Sequence, residues 1–262
     1  MAGVYQTMSI SKLGRQYGWK PDLPDQRDHK FGFTIVPAKL PASTDLRPGC
    51  PAPFNQQNLG SCTANAIAGA VEFNLIKQRL PIFMPSRLFI YYNERVMEHS
   101  VSQDAGAMIR DGIKSVNSQG VCPETMWPYV VNKFAQKPPA TCYSTALHSK
   151  AVGYQRINQD IASMKACLAS GFPFVFGFTV YESFESNATA KTGIMTMPGP
   201  NEQVLGGHAV LAVGYNDATQ MITVRNSWGP YWGDKGYFYM PYAYITNNNL
   251  CDDFWNITLM TK

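Results

Sequence analysis

The stretch QQNLGSCTANAIAGAVEFNLIKQRL, residues 56–80, sets the organisation of the whole chain. It begins as a polar loop, and after Cys62 its apolar residues recur at helical spacing, which predicts a helix with a thiol at its N-terminus. Because the positive end of a helix dipole stabilises a thiolate relative to a thiol, Cys62 is a candidate nucleophile. A lone cysteine is more commonly a small buried apolar residue, so the assignment depends on residues elsewhere in the chain.

His208 and Asn226 are candidate partners for this thiol. Among the four histidines, His208 alone directly follows a pair of glycines and begins an apolar strand, so its ring could act as a base beside a cleft. Asn226 follows the strand-like run 221–225, where its amide could accept the imidazole N–H while Trp228 shields that bond from water. A histidine packed at a sheet edge is the alternative interpretation of His208 taken alone.

Gln56 completes the candidate catalytic group. It precedes Cys62 by six residues in the loop that leads into the helix. Its side-chain amide and the backbone N–H of Cys62 would supply two hydrogen-bond donors for an oxyanion formed when the thiolate attacks a carbonyl. The candidate catalytic residues are therefore Cys62, His208, Asn226 and Gln56.

The blocks around these residues resemble the papain-like cysteine peptidases, the papain/cathepsin family. GGHAVLAVGY (206–215) and VRNSWGPYWGDKGYFYM (224–240) are similar to the family's histidine and asparagine blocks, and LPASTDLR (40–47) is similar to the usual start of the mature enzyme. His208 lies 146 residues after Cys62 (208 − 62) and Asn226 lies 164 after it (226 − 62), compared with ~130 to 150 in the family signature. The resemblance covers about residue 40 to the C-terminus.

The order of periodic segments predicts an α+β fold. Besides the Cys62 helix, helices are predicted at 86–97, 107–117 and 160–170. The second half of the chain has strand-like runs between Gly, Pro or Asn turns, at 172–180, 208–215, 221–225, 236–240 and 254–259. The resemblance implies a papain-like fold of two subdomains, a helical left subdomain and a right one built from an antiparallel β-sheet or barrel, with the active-site cleft between them.

The chain divides at about residue 40. Residues 1–39 are expected to form an N-terminal extension, either a short pro-segment or a clasp, and residues 40–262 the papain-like peptidase domain. The extension is too short for the long helical pro-segment typical of the family, and its aromatic and Pro content predicts a segment that docks on the enzyme and restricts the cleft.

The resemblance also implies the activity. It implies a cysteine-type peptidase that hydrolyses peptide bonds in peptide or protein substrates through a Cys62 thiolate/His208 imidazolium pair oriented by Asn226. That mechanism requires neither a metal nor an organic cofactor.

Gly106, Ala107, Trp228 and Asp252 are the predicted substrate-binding residues. Gly106 and Ala107 fall where the family pairs its backbone with extended substrate. Asp252 falls at the floor of the pocket for the side chain two positions before the scissile bond, which predicts tolerance of Arg or Lys there. A solvated surface acid is the alternative interpretation of Asp252.

Several positions depart from the family pattern. Leu59 and Asp104 stand where the family usually has two bridged cysteines, and Thr63 replaces the usual Trp after the nucleophile. If Cys62 is a free nucleophile, five cysteines remain and cannot all pair within one chain. Their pairing stays open for Cys50, Cys122, Cys142, Cys167 and Cys251.

Composition narrows the possible partners. The 262 residues are 15% charged with a net charge of +4 and no basic run, which argues against nucleic acid. The longest apolar runs are shorter than a membrane span, and the N-terminus lacks the apolar core of a signal peptide, so neither membrane association nor a secretory leader is expected in the chain as numbered. A monomer is expected.

Two other functions share part of this pattern. A catalytically silent papain-like protein that binds peptides would be favoured by substitution of a catalytic residue, and all four are present. An acyl-transferring thiol enzyme would explain a Cys/His pair but neither Gln56 nor the NSWG block at 226–229.

Overall fold

The computed structural model describes residues 14–25, 28 and 40–261. The rest of the expected extension, residues 1–13, 26–27 and 29–39, lies outside the described residues. The helices of the described part are α1 Cys62–Lys77, α2 Arg87–Met97, α3 Ile109–Ser118, α4 Ala140–Ala146, α5 Ile161–Ala169, α6 Asn187–Thr192 and α7 Tyr242–Ile245. The strands are β1 Trp19–Lys20, β2 Ser43–Asp45, β3 Ala107–Met108, β4 Ala151–Arg156, β5 Phe174–Tyr181, β6 Val204–Asn216, β7 Met221–Arg225, β8 Tyr237–Pro241 and β9 Cys251–Met260.

Helix α1 runs through the interior of the molecule. Its residues from Cys62 to Leu75 are all buried, because the helix packs against β6 and β9 on one side and against α2 and α3 on the other. A helix surrounded in this way needs mainly small or apolar residues, and most residues of α1 are of this kind. At Gly69 a Cβ atom would lie 2.4 Å from the Arg225 guanidinium, so glycine leaves room for this side chain between the helix and the sheet.

A seven-stranded antiparallel sheet forms the second half of the fold. Its strands follow the order β4-β9-β5-β6-β7-β8, and β2 pairs with β6 off this path. Alternate side chains of β5 enter two separate apolar cores: Val175 packs in the core around α1, whereas Phe174, Phe176 and Phe178 pack in an aromatic core on the opposite face. An antiparallel sheet with helices packed against it makes an α+β fold, which confirms the predicted class.

The predicted helices of the first half are present with small shifts. Ser86 caps α2 by accepting a hydrogen bond from Phe89 N at 3.2 Å, as its sequence position indicates. Helix α3 begins at Ile109, not at Ala107, because Ala107 and Met108 form a strand that pairs with β1. The short elements α4, α6, α7 and β4 were not predicted, and β6 begins at Val204, four residues before the predicted start.

The N-terminal segment 14–25 packs on the domain that follows it. Its strand β1 runs parallel to β3, with Trp19 opposite Ala107 and Lys20 opposite Met108. No helix in the described part of the chain is long and apolar enough to cross a membrane.

Candidate active site

Cys62 is the first residue of α1 and has no exposed surface. The backbone N–H groups of Ala209 and Gly18 lower the pKa of this thiol. Burial nevertheless raises the pKa of the thiol to about 11, because the loss of water outweighs the stabilisation of the thiolate by these donors. Ala209 follows His208 in β6, so the helix and the sheet bring the thiol and the histidine to adjacent positions.

His208 is held by Asn226. The imidazole Nε2 lies 2.8 Å from Asn226 Oδ1, and the same oxygen accepts the Ser227 backbone N–H at 2.8 Å. Because Asn226 Oδ1 accepts from Ser227, it is also the acceptor for histidine, so Nε2 carries the hydrogen and Nδ1 keeps its lone pair. Within residues 14–25, 28 and 40–261, Nδ1 has no hydrogen-bond partner. Nδ1 is therefore the basic nitrogen of the ring.

The environment of His208 keeps the ring neutral in this state. Burial lowers its pKa to about 4, the Asn226 hydrogen bond opposes this effect, and the positive charge of Arg15 adds to it. Trp228 stacks on the imidazole, with ring centroids 5.0 Å apart and planes 24° from parallel. Trp228 therefore covers one face of the imidazole.

Gln56 reaches the same cleft from the loop before α1. Its Oε1 accepts a hydrogen bond from Ser227 Oγ at 2.6 Å, which fixes the amide so that Nε2 acts as the donor. Nε2 donates to Leu59 O at 3.0 Å and to Gln16 O, in the N-terminal segment, at 3.3 Å. Gln56 Nε2, the donor predicted to stabilise an oxyanion, thus already donates to backbone carbonyl oxygens of this chain.

Asp104 forms hydrogen bonds that connect the loop before Cys62 with the segment after α2. The backbone N–H of Gly60 lies 3.0 Å from each carboxylate oxygen of Asp104, and Tyr91 OH also donates to this carboxylate. Asp104 stands where the family usually has a cysteine, and it therefore joins these two segments by hydrogen bonds.

Thr63 stands where the family usually has Trp. It donates its hydroxyl hydrogen to Glu94 Oε2 at 2.6 Å. Glu94 is fully buried on α2, and burial raises the pKa of its carboxyl group to about 8. A polar pair thus replaces the usual aromatic packing behind the nucleophile.

Gly106 and Ala107 hold the N-terminal segment through its backbone. Ala107 N donates to Gly18 O at 2.7 Å. Gly106 has φ +70°, and a Cβ atom there would lie 2.0 Å from Gly18 O, while a Cβ on Gly18 would lie 1.7 Å from Gly60 O. Only glycine at these positions allows the segment to pass so close to the cleft wall.

Trp19 fills a pocket between β5 and β6. A Cβ atom on Gly177 would lie 2.0 Å from its indole, and one on Gly207 would lie 2.7 Å away. The indole Nε1 donates to Asp253 Oδ2 at 3.0 Å, and Asp22 N donates to the same oxygen at 2.8 Å. The pocket therefore has glycine walls and a carboxylate at its end.

This carboxylate corrects the predicted role of Asp252. The side chain of Asp252 is 49% exposed and pairs with Arg156 at 2.9 Å, whereas Asp253 has no exposed surface. The pairing of β5 with β9 shifts register between Val175 and Gly177, and Asp253 has φ +60°. This irregularity turns Asp253 into the pocket and leaves its neighbour at the surface.

Asp253 has an unusual protonation equilibrium. Burial and the nearby negative charge of Asp22 raise the pKa of Asp253 to about 7, while the Asp22 backbone N–H and Arg156 oppose this shift. The pKa of Asp22 is also raised, chiefly by burial.

Tyr17 and Arg15 cover the other end of the cleft. The Tyr17 ring meets His208 edge-on, with centroids 5.9 Å apart, and its hydroxyl donates to Glu185. The Arg15 guanidinium lies 3.8 Å from the centroid of the Trp228 ring. The N-terminal segment therefore crosses the whole cleft, from Trp228 to the Asp253 pocket.

The structure brings all but one of the predicted site residues into this cleft. They are Cys62, His208, Asn226, Gln56, Gly106, Ala107 and Trp228, while Asp252 lies at its edge. The sequence did not assign Ser227, Gly177 or Asp253 to the site, and it predicted only packing of the N-terminal segment for Tyr17 and Trp19. The aromatic content of 17–33 was the available signal for the last two.

Comparisons with known proteins show the family of this chain. The family model described as papain family cysteine protease matches residues 40–253. An uncharacterised peptidase C1-like protein of Acanthamoeba polyphaga mimivirus is 46% identical over 280 residues, covering 97% of this chain and 90% of that protein. Xylellain, a cysteine protease from Xylella fastidiosa, is similar in structure, with a TM-score of 0.89 and 46% identity over 93% of this chain and 96% of that one.

A more distant structure shows the same fold. Procathepsin B S9 from Trypanosoma congolense has a TM-score of 0.77 and 19% identity, covering 99% of this chain and 91% of that one.

Proposed function

Because the chain belongs to the papain family of cysteine proteases and is a cysteine peptidase, we propose that Cys62 is its nucleophile, with His208 as base and acid and Asn226 as the residue that orients the imidazole. The observation that carries this proposal is the hydrogen bond of His208 Nε2 to Asn226 Oδ1. It leaves Nδ1 as the basic nitrogen of the ring, and the backbone N–H of Ala209, the next residue, lowers the pKa of Cys62.

The proposed reaction has two halves. His208 Nδ1 takes the thiol proton, and the thiolate attacks the peptide carbonyl carbon. The resulting oxyanion accepts hydrogen bonds from Gln56 Nε2 and the Cys62 backbone N–H, and the imidazolium protonates the leaving amine. Water then gives a proton to His208 and attacks the thioester, which releases the acyl group as a carboxylic acid and restores the thiol.

The N-terminal segment is proposed to inhibit this site. Gln16 O occupies a donor of Gln56, Gly18 O takes the backbone donor of Ala107, and Trp19 fills the Asp253 pocket. Burial under the segment also favours the neutral thiol and the neutral imidazole over the reactive ion pair. The segment therefore blocks the cleft and suppresses the nucleophile at once.

The substrates are proposed to be peptides or proteins with a large side chain in the Trp19 pocket. Its glycine walls accept a flat ring or a long unbranched chain. Asp253 lies at its end and would accept a hydrogen bond or an ion pair, so Trp, Arg and Lys fit better than acidic side chains.

The test is labelling of the full-length protein with a thiol-directed, peptide-like epoxide, followed by peptide mapping and by assay of fluorogenic peptides. The proposal expects modification at Cys62 alone, with loss of labelling in His208→Ala. It also expects Trp19→Ala to be labelled and to cleave peptides faster than the unchanged protein. Labelling of Trp19→Ala without turnover of any peptide would instead favour a silent peptide-binding protein.

A further inference from the structure

Two backbone carbonyl oxygens of the loop before α1 accept hydrogen bonds from side chains that the proposed reaction does not use. Tyr129 OH donates to Gln56 O at 2.8 Å, and Arg87 donates to Asn55 O at 3.2 Å. Arg87 is the first residue of α2, and Tyr129 follows α3 in the chain. Two segments of the helical half of the fold therefore hold the main chain of this loop, whereas Ser227 holds the side-chain amide of Gln56.

Tyr129 also contacts the residue before the nucleophile. Its hydroxyl oxygen lies 2.6 Å from Ser61 Oγ. Because the single hydroxyl hydrogen of Tyr129 goes to Gln56 O, Ser61 is the donor in this contact. One hydroxyl group thus joins Gln56, which carries one proposed oxyanion donor, to the residue before Cys62, whose backbone N–H is the other donor.

Asn65 fixes the peptide group that carries the Cys62 N–H. Its backbone N–H and its Nδ2 both donate to Ser61 O, at 3.0 and 2.9 Å, and Nδ2 also donates to Ser61 Oγ at 3.1 Å. Arg87 donates to Asn65 Oδ1 at 3.2 Å, and because arginine can only donate, this contact identifies the amide oxygen. Ser61 O and the Cys62 N–H belong to one planar peptide group, so the contacts on the oxygen also set the direction of the N–H.

The network around Tyr129 is rigid and shielded from water. Arg87 binds both carboxylate oxygens of Glu124, at 2.8 and 2.7 Å, and its guanidinium carbon lies 4.1 Å from the centroid of the Tyr129 ring. Ser61 and Asn65 have no exposed surface, and Arg87 is buried. A buried donor or acceptor that loses its partner is not compensated by solvent, so these hydrogen bonds favour one geometry of the loop.

We propose that Tyr129 is a positioning residue for the oxyanion site, because its hydroxyl sets the separation between the Gln56 side chain and the backbone N–H of Cys62. Tyr129 acts through the two oxyanion donors of the proposed function, on which this role rests. A donor stabilises an oxyanion only when it lies at the right distance from the position that the oxygen takes in the transition state. Without the hydroxyl the loop and the start of α1 can shift apart, so the transition state loses stabilisation while the bound substrate keeps its contacts.

The test compares Tyr129→Phe with its parent in the full-length Trp19→Ala background, where the cleft is expected to be open. The change removes the hydroxyl and keeps the ring that packs on Arg87. We expect kcat for a fluorogenic peptide amide to fall about 10- to 30-fold with KM nearly unchanged. Alkylation of Cys62 by iodoacetamide should keep its rate, because displacement of iodide at a saturated carbon forms no oxyanion.

Tyr143→Phe is the matched control. Tyr143 is also partly buried, and its hydroxyl donates to Asn93 Oδ1 on α2 at 3.1 Å, so the change removes one tyrosine hydroxyl without touching the loop before α1. It should leave kcat unchanged. Ser61→Ala removes the same bridge from its other end and serves if Tyr129→Phe does not fold. It is expected to lower kcat about threefold, again without slowing alkylation.

Gln56→Ala separates the role of Tyr129 from the proposed function. If Gln56→Ala lowers kcat about 100-fold while Tyr129→Phe and Ser61→Ala leave it unchanged, the oxyanion site stands and the role of Tyr129 is overturned. If Gln56→Ala leaves kcat unchanged, the proposed oxyanion site and the role of Tyr129 are both wrong. A rise in KM alone in Tyr129→Phe, or an equal loss of hydrolysis and alkylation, would also overturn the positioning role.

Discussion

The indole of Trp19 donates its Nε1 hydrogen to Oδ2 of Asp253 across 3.0 Å. This contact joins the N-terminal segment of the chain to the end of the pocket between β5 and β6. Asp253 is fully buried there, and it also accepts the backbone N–H of Asp22. Any substrate side chain that uses the pocket must displace Trp19, so release of the segment and binding of substrate depend on the same groups.

Trp19→Ala should activate the full-length protein. The change removes a large apolar contact and a hydrogen bond to a carboxylate, together worth about 3 kcal/mol of docking free energy, or about 100-fold in the docking equilibrium. We expect faster hydrolysis of a fluorogenic peptide with KM little changed once the cleft is open. Leu23→Ala is the matched control, because Leu23 belongs to the same segment but is 69% exposed. Equal rates for Trp19→Ala and the unchanged protein would remove the inhibitory role of the contact.

Asp253, and not its neighbour, should set the preference for basic side chains. In the Trp19→Ala background, Asp253→Asn is expected to lower the ratio of kcat/KM for Arg over Leu peptides by about 10- to 100-fold, since a charge-assisted hydrogen bond is lost. Asp252→Asn should leave this ratio unchanged, because Asp252 pairs with Arg156 at the surface. The reverse pattern would restore the role that the sequence assigned to Asp252.

Asp252 and Asp253 show what could not be predicted from the sequence alone. The motif blocks around His208 and Asn226 were enough to predict the family, the α+β class and the enzyme type, all of which are confirmed. Counting along the chain could not separate Asp252 from Asp253, because the choice depends on a register shift between β5 and β9. The two-residue strand β1 could not be predicted either, because so short a segment has no periodicity and its partner β3 lies far along the chain.

Docking of the segment should weaken as pH rises. In the docked state burial and the Asp22 charge raise the pKa of Asp253 to about 7, and the pKa of Asp22 is raised as well. A carboxyl group whose pKa is raised by docking takes up a proton on docking, so this stabilisation is present at low pH and is lost as pH passes through about 7. Asp252 adds negative charge beside Asp253, whereas Arg156 and Arg110 oppose the shifts.

The ratio of Cys62 alkylation rates in Trp19→Ala and in the unchanged protein measures this docking at each pH, because the intrinsic reactivity of the thiol cancels. The ratio is expected to fall between pH 5 and pH 8, and Asp253→Asn should flatten its pH dependence. A ratio that rises with pH would contradict the assignment.

Ser227 should act through Gln56. Its hydroxyl donates to Gln56 Oε1 at 2.6 Å and so keeps Nε2 directed into the cleft. We expect Ser227→Ala, in the Trp19→Ala background, to lower kcat about tenfold with KM nearly unchanged, because one buried hydrogen bond positions an oxyanion donor. Ser144→Ala removes an exposed hydroxyl on α4 and serves as the control. An increase in KM alone would indicate a role in substrate binding instead.

The pH dependence of Cys62 alkylation tests the central claim most directly, namely that Cys62 and His208 form an ion pair once the N-terminal segment is displaced. Iodoacetamide labelling of Trp19→Ala should already be fast well below the ordinary thiol pKa of about 8.5, and His208→Ala in the same background should lose this low-pH reactivity. Reactivity that rises only near the ordinary thiol pKa, with or without His208, would contradict the account.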